Sequence, residues 1–171
     1  MNPEAISGLL IGLVQIGAAF AGFSALVSVL RERGKETGAW HDILRLRIVI
    51  STSILVVGAG LFPLGLGVLG LEERWIWTAS ALLLILVNYA IFVSFLRSYQ
   101  PVKNEFPADK LAVFVVGGLE LLDQAALVTI VLNVMPEKSH ALYVVALILN
   151  ILQAAFVFLR YIGSEFRADH S

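Results

Sequence analysis

Residues 111–135, LAVFVVGGLELLDQAALVTIVLNVM, form an apolar run interrupted midway by two carboxylates, Glu120 and Asp123. A hydrocarbon core of about 30 Å takes roughly 20 residues at helical rise, so the run has the length of a membrane-spanning helix. An ionisable group near the centre of such a helix costs at least about 2.5 kcal/mol on insertion scales, and acids at that depth usually mark function.

Working outward, four further runs have the same character, giving spans at Ala5–Leu30, Ile48–Leu71, Trp75–Leu96, Leu111–Met135 and Ala141–Ile162. The expected fold is all-α: one transmembrane domain over residues 1–171 with five helices. Composition agrees, since 58% of the residues are hydrophobic and 15% charged, against about 45–50% and roughly 25% in soluble domains. The opening Met-Asn-Pro-Glu carries no basic region and the run behind it outlasts a signal-peptide core, so the first span is expected to be retained. After the fifth span a short polar tail, Gly163–Ser171, is expected, with no soluble domain at either end.

Lys and Arg favour the cytoplasmic side of short loops. Arg31, Arg33, Lys35, Arg45 and Arg47 fall between spans one and two, and Arg97, Lys103 and Lys110 between spans three and four. The turns at 72–74 and 136–140 hold one Arg or Lys each. The expected orientation is N-terminus outside and C-terminus cytoplasmic, with spans two and three, and four and five, as two tight outer hairpins. Trp75, Trp77 and Tyr143 then fall at the outer boundary, and Tyr99 and Tyr161 at the inner one, where amphipathic rings anchor at headgroup level.

Small residues let helices approach closely, which drives association where lipid supplies no hydrophobic force. Gly8 and Gly12, then Ala18 and Gly22, have that spacing in span one, and span two carries Gly58, Gly60, Gly65, Gly67 and Gly70 around Pro63. Pro63 removes one backbone hydrogen bond and is expected to kink or loosen the helix.

At about 1.5 Å per residue, Glu120 lies roughly 15 Å from the nearer end of its span. Asn88, Asn150 and Gln153 fall at similar depth, and Gln15 slightly further out. At about 100° per residue, Gly117, Glu120, Asp123 and Gln124 share one helical face, as do Tyr143, Asn150, Gln153 and Ala154, so the two stripes can meet. Gly117 and Gly118 would admit a neighbouring backbone, a water or an ion beside Glu120.

Four readings fit this layer. Acids on a wet path select cations, and 18.6 kDa leaves little room for a conduit within one chain, so a pore would form on the axis of a homo-oligomer. Acids in a dry site hold a proton between them and make a relay, with Asn150 and Gln153 as partners. Acids bonded to amides can also be structural glue between helices, at roughly 0.6 kcal/mol per contact. Finally, they could pair with Arg45 or Arg47 if span two begins earlier, near Trp40. With Ser51 and Thr52 just inside, those arginines could instead line a cytoplasmic vestibule or hold lipid phosphate, and residues 38–47 could form a short interfacial helix.

A formal charge of −1 without a basic block argues against nucleic acid. Without cysteine there is no disulfide or thiolate chemistry. His41, His140 and His170 are too dispersed to hold one metal or haem, and no HExxH, P-loop or GxSxG pattern occurs. No cofactor, metal or catalytic residue is expected.

Residues 18–24, AAFAGFS, together with Leu44-Arg45-Leu46-Arg47 and Pro63, resemble a widespread group of small uncharacterised bacterial multi-pass membrane proteins. The likeness covers about the first third of the chain and implies a bacterial inner-membrane setting. The group brings no assigned activity and no functional residue to carry over. The expected function is a homo-oligomeric channel or transporter-like protein that passes or couples a small cation or proton in the lipid bilayer. The alternative is a non-catalytic interaction or accessory subunit whose glycine-rich first spans dock another membrane complex.

Overall fold

The computed structural model describes residues 3–32, 39–102 and 109–168. Side chains at 3, 30–32, 39–43, 45, 102 and 163–168 lie outside that description. Five helices make up the fold: α1 (Pro3–Glu32), α2 (Ala39–Val68), α3 (Glu73–Tyr99), α4 (Lys110–Val131) and α5 (Ser139–Ala168). All five are long and apolar enough to cross a membrane.

Three boundaries differ most from the sequence reading. Ala39 already belongs to α2, so residues 39–47 continue that helix instead of forming a separate interfacial one. The charged residues there break the hydrophobic run without breaking the helix, because Arg and Leu both favour it. The polar tail is helical as far as Ala168. In the other direction, α4 stops at Val131, four residues before its apolar run ends. There Asn133 takes a left-handed φ of 55° that Asn tolerates better than most residues, and the Asn133 and Val134 N–H groups bond back to Ile130 and Thr129 carbonyls.

Helix α2 is the most buried and α4 the least. The former packs on α1, α3 and α5, while α4 leans mainly on α5 and less on α3. Two apolar clusters fill the interior. One joins Leu10 and Leu13 of α1, Leu55 and Ala59 of α2, Trp77 and Leu84 of α3, Leu127 and Ile130 of α4, and Tyr143 and Leu147 of α5. The other joins Leu46 and Val49 of α2 to Ala154, Phe158 and Tyr161 of α5, with Phe20 of α1 against them. Along α5, Asn150 and Gln153 fall between the two clusters.

Outside, the bundle is apolar: Phe114 is 79% exposed, Leu121 74%, Tyr89 67% and Leu159 66%. A water-facing monomer rarely shows contiguous apolar patches beyond a few hundred Å², whereas lipid is the natural solvent for such a surface.

The close approach of α1 to α2 occurs at Gly17 and Gly60, not at Gly8, Gly12 or Gly22, which face open space. A Cβ at Gly17 would stand 3.0 Å from the Ser53 carbonyl oxygen, and one at Gly60 2.6 Å from Val14 Cγ2. Gly17 is absent from the spacing motif read in the sequence, because the register of α1 on α2, and not a repeat within α1, decides which glycine meets a backbone.

Pro63 is buried inside an unbroken α2. Lacking an N–H, it leaves the carbonyl four residues earlier, that of Ala59, without its helical partner. The Tyr143 hydroxyl of α5 donates to that oxygen at 2.9 Å. Tyr143 is therefore an interior residue tied to the proline and not a boundary anchor; Trp77 and Tyr161 are buried too. Trp75, by contrast, is 56% exposed.

Candidate functional site: a buried carboxylate and amide layer

Six of the polar residues read as midplane candidates come together where α3, α4 and α5 meet. Asp123 of α4 is wholly enclosed by protein. Its Oδ2 accepts a hydrogen bond from Asn88 Nδ2 of α3 at 3.0 Å, and its Oδ1 one from Asn150 Nδ2 of α5 at 3.1 Å. One turn earlier, Glu120 is half-buried on the flank of α4. Its Oε1 accepts from Gln124 Nε2 at 2.9 Å and its Oε2 from Gln153 Nε2 at 3.2 Å. Gln124 Nε2 also lies 3.4 Å from Asp123 Oδ2, so a single amide spans both acids.

Helical spacing explains how one face supplies both carboxylates. Positions 120, 123, 124 and 127 repeat at three and four residues, which keeps them in a column on α4, and Asn150 and Gln153 repeat at three on α5. Leu127, fully buried, continues the α4 column into the apolar cluster.

No basic side chain pairs with either acid among the described residues. The Arg160–Asp109 ion pair lies at the start of α4, where Asp109 also caps the helix by accepting from the Leu111 N–H. Arg47 donates to Ser94 Oγ of α3 at 3.3 Å, and so does not meet the acids. The side chain of Arg45 lies outside the described residues, as do those of His41 and His170.

The amide orientations carry chemical information. Asn150 Nδ2 is shared between Asp123 Oδ1 and the Ala146 carbonyl at 3.0 Å, while Asn150 Oδ1 is buried without a donor. This arrangement suits an ionised Asp123, which can only accept. Rotating the Asn150 amide by half a turn would aim Oδ1 at the carboxyl, where it could accept from a protonated Asp123, at the cost of the bond to the Ala146 carbonyl. Asn150 Oδ1 is thus the acceptor of this layer left over when Asp123 is ionised, one of four buried side-chain atoms without a partner among the described residues.

Gln15 is exposed on α1 and does not join the layer. Gly117 and Gly118 lie on the exposed side of α4 with no protein atom within 4 Å of where their Cβ atoms would be. Ser51 and Arg47 line a cleft between α2 and α3, whereas Thr52 is buried and stands apart from it. That cleft includes Ser94 and Ser98, which the sequence does not single out, because two serines one turn apart in an apolar helix carry no pattern without their partner helix.

The architecture and the layer together define an all-helical bundle of five helices long and apolar enough to cross a membrane, with an acid and amide centre. Compared with family models, curated proteins and solved structures, the chain matches none.

Proposed function

We propose that this protein couples or passes a proton or small cation through the layer of Glu120 and Asp123, as a homo-oligomer in a bacterial inner membrane. The observation that carries the reading is the state of Asp123: fully enclosed, with amide donors on both oxygens and no basic partner among the described residues. Burying a carboxylate without a counter-charge is costly even with amide donors, and binding a cation or a proton relieves that cost. Binding H⁺ converts the carboxylate to a carboxyl, and the free Asn150 Oδ1 receives the new O–H after the amide turns.

Entry is through Glu120, the half-buried member, with Gln124 linking it to Asp123. The enclosure of Asp123 favours a coupling site over a conduit within one chain. The open face of α4 beside Glu120, with Gly117, Gly118, Leu121 and Ala125 exposed, is where a second copy would complete the path. In this reading the N-terminus is outside and the C-terminus cytoplasmic, which puts the α2–α3 and α4–α5 turns outside.

The test is proton flux into liposomes holding the purified protein at high density. Wild type collapses an imposed pH gradient, and Glu120→Gln slows the collapse by about tenfold or more, the loss expected of a group that carries the proton. Equal rates for wild type, Glu120→Gln and empty liposomes would rule the reading out.

A second reading, an accessory subunit of a larger membrane complex, draws on Gln15, an amide exposed halfway along α1 where lipid offers it no partner. It gains if the protein is inactive and monomeric alone, and it loses if the protein purifies as a closed symmetric ring.

A further inference from the structure

Near the end of the bundle where α2 begins and α3 ends, the two helices part to leave a cleft of about 230 Å³ that is open on one side. Its polar end holds Arg47, Ser94 and Ser98, with Ser51 a turn further in, and its inner walls are Ile91, Phe95 and other apolar side chains. The exposed Arg47 guanidinium donates to Ser94 Oγ, and Ser98 Oγ donates to the Ser94 carbonyl at 3.0 Å, which braces this end of α3. A guanidinium has five N–H donors, so the bond to Ser94 leaves Arg47 with donors to offer a ligand in the cleft. The apolar part of α2 starts at Leu46, which puts Arg47 at the level where the hydrocarbon core gives way to headgroups.

We infer that this cleft binds an anionic glycerophospholipid, with its phosphodiester on Arg47 and the neighbouring serine hydroxyls and an acyl chain along Ile91 and Phe95. The cleft sets a cation and hydroxyls beside apolar walls, the two chemistries that a phospholipid carries in one molecule. A guanidinium held by a serine presents its fork to phosphate oxygens in a fixed direction, whereas an arginine that only extends into headgroups has no such brace. The site is separate from the acid layer, so it stands or falls independently of the function proposed above.

Native mass spectrometry of the detergent-purified protein, titrated with phosphatidylglycerol or phosphatidylcholine, tests the assignment. Wild type is expected to retain a phosphatidylglycerol adduct in preference to phosphatidylcholine. Arg47→Gln should weaken that adduct by about fivefold, the worth of one basic residue at a charged lipid surface. Ala90→Phe, which fills the cleft without altering charge, should weaken it comparably. Arg97→Gln, at an exposed arginine outside the lining, should leave it unchanged, and circular dichroism should show all three variants folded. Retention in Arg47→Gln or Ala90→Phe, or an equal loss in Arg97→Gln, would overturn the site. Displacement of the lipid by millimolar inorganic phosphate would overturn the lipid as its ligand and leave a free-phosphate site in its place.

Discussion

Where α1 meets α2, backbones touch at Gly17 and Gly60, and two buried serine hydroxyls, Ser24 and Ser53, have no hydrogen-bond partner. Where α3, α4 and α5 meet, the helices are joined by amides that reach across to carboxylates. The first contact depends on shape. It works through small residues and dispersion, which is how helices associate without a hydrophobic drive. The second depends on hydrogen bonds in a place where carboxylates are disfavoured, and amides alone would have bonded as well. Because α1 and α2 hold together without any buried acid, helix contact in this bundle does not by itself require one. That contrast is the physical ground for assigning Glu120 and Asp123 a task.

Five substitutions would break or sharpen the contrast. The largest effect is expected from Asp123→Ala, which strands the side-chain amide of Asn88 in the interior, leaves that of Asn150 with the Ala146 carbonyl alone and opens a void. At about 1–3 kcal/mol for a buried group left unsatisfied, the loss is about 3 kcal/mol, measurable by unfolding in mixed detergent micelles. Gly17→Leu follows at about 2 kcal/mol, because the new side chain must displace the Ser53 carbonyl and two valines. It should lower stability while leaving flux per folded molecule as in wild type; a selective loss of flux would erase the division of labour between the two regions.

Tyr143→Phe comes next, at about 1 kcal/mol, since it leaves the Ala59 carbonyl without a donor. Pro63→Ala restores the helical N–H for that carbonyl, so the double substitution should be less damaging than Tyr143→Phe alone. Strict additivity would show that the hydroxyl does not serve the proline gap. The smallest effect belongs to Gly117→Ala, under about 0.5 kcal/mol in the isolated protein, because its Cβ would meet open space. A loss of oligomer with stability intact would place this face at a subunit contact.

Labelling addresses the orientation on which the proposed path depends. A cysteine at Glu72 should react with an impermeant reagent added outside, and one at Lys110 only after the cytoplasmic face is opened. The reverse pattern would turn the bundle over.

Much of the layer is legible in the amino-acid sequence. The length of the apolar runs sets depth, and helical periodicity sets faces, so Glu120, Asp123, Gln124, Asn150 and Gln153 can be expected at one level on facing stripes. Asn88 and Gln15 meet the depth criterion alone; Asn88 joins the layer, whereas Gln15 is exposed on α1, which packs mainly on α2. What stays hidden depends on relations between helices. Gly17 is chosen by register, Tyr143 is drawn inward by a carbonyl that Pro63 leaves open on another helix, and Ser94 matters only because Arg47 lies across from it. Helix ends are legible to within a few residues, since helix continues through charged positions such as those opening α2 and stops in apolar ones such as Leu132.

Infrared difference spectroscopy of the reconstituted protein through a pH jump reaches the central claim most directly, because it reads the carboxyl and the amide together. If Asp123 binds and releases a proton, a protonated-carboxyl band should come and go reversibly with pH and vanish in Asp123→Asn. An amide change from isotope-labelled asparagine should accompany it as Asn150 turns. Spectra that are the same in wild type and Asp123→Asn throughout the accessible pH range would contradict the account and return the layer to a purely structural role.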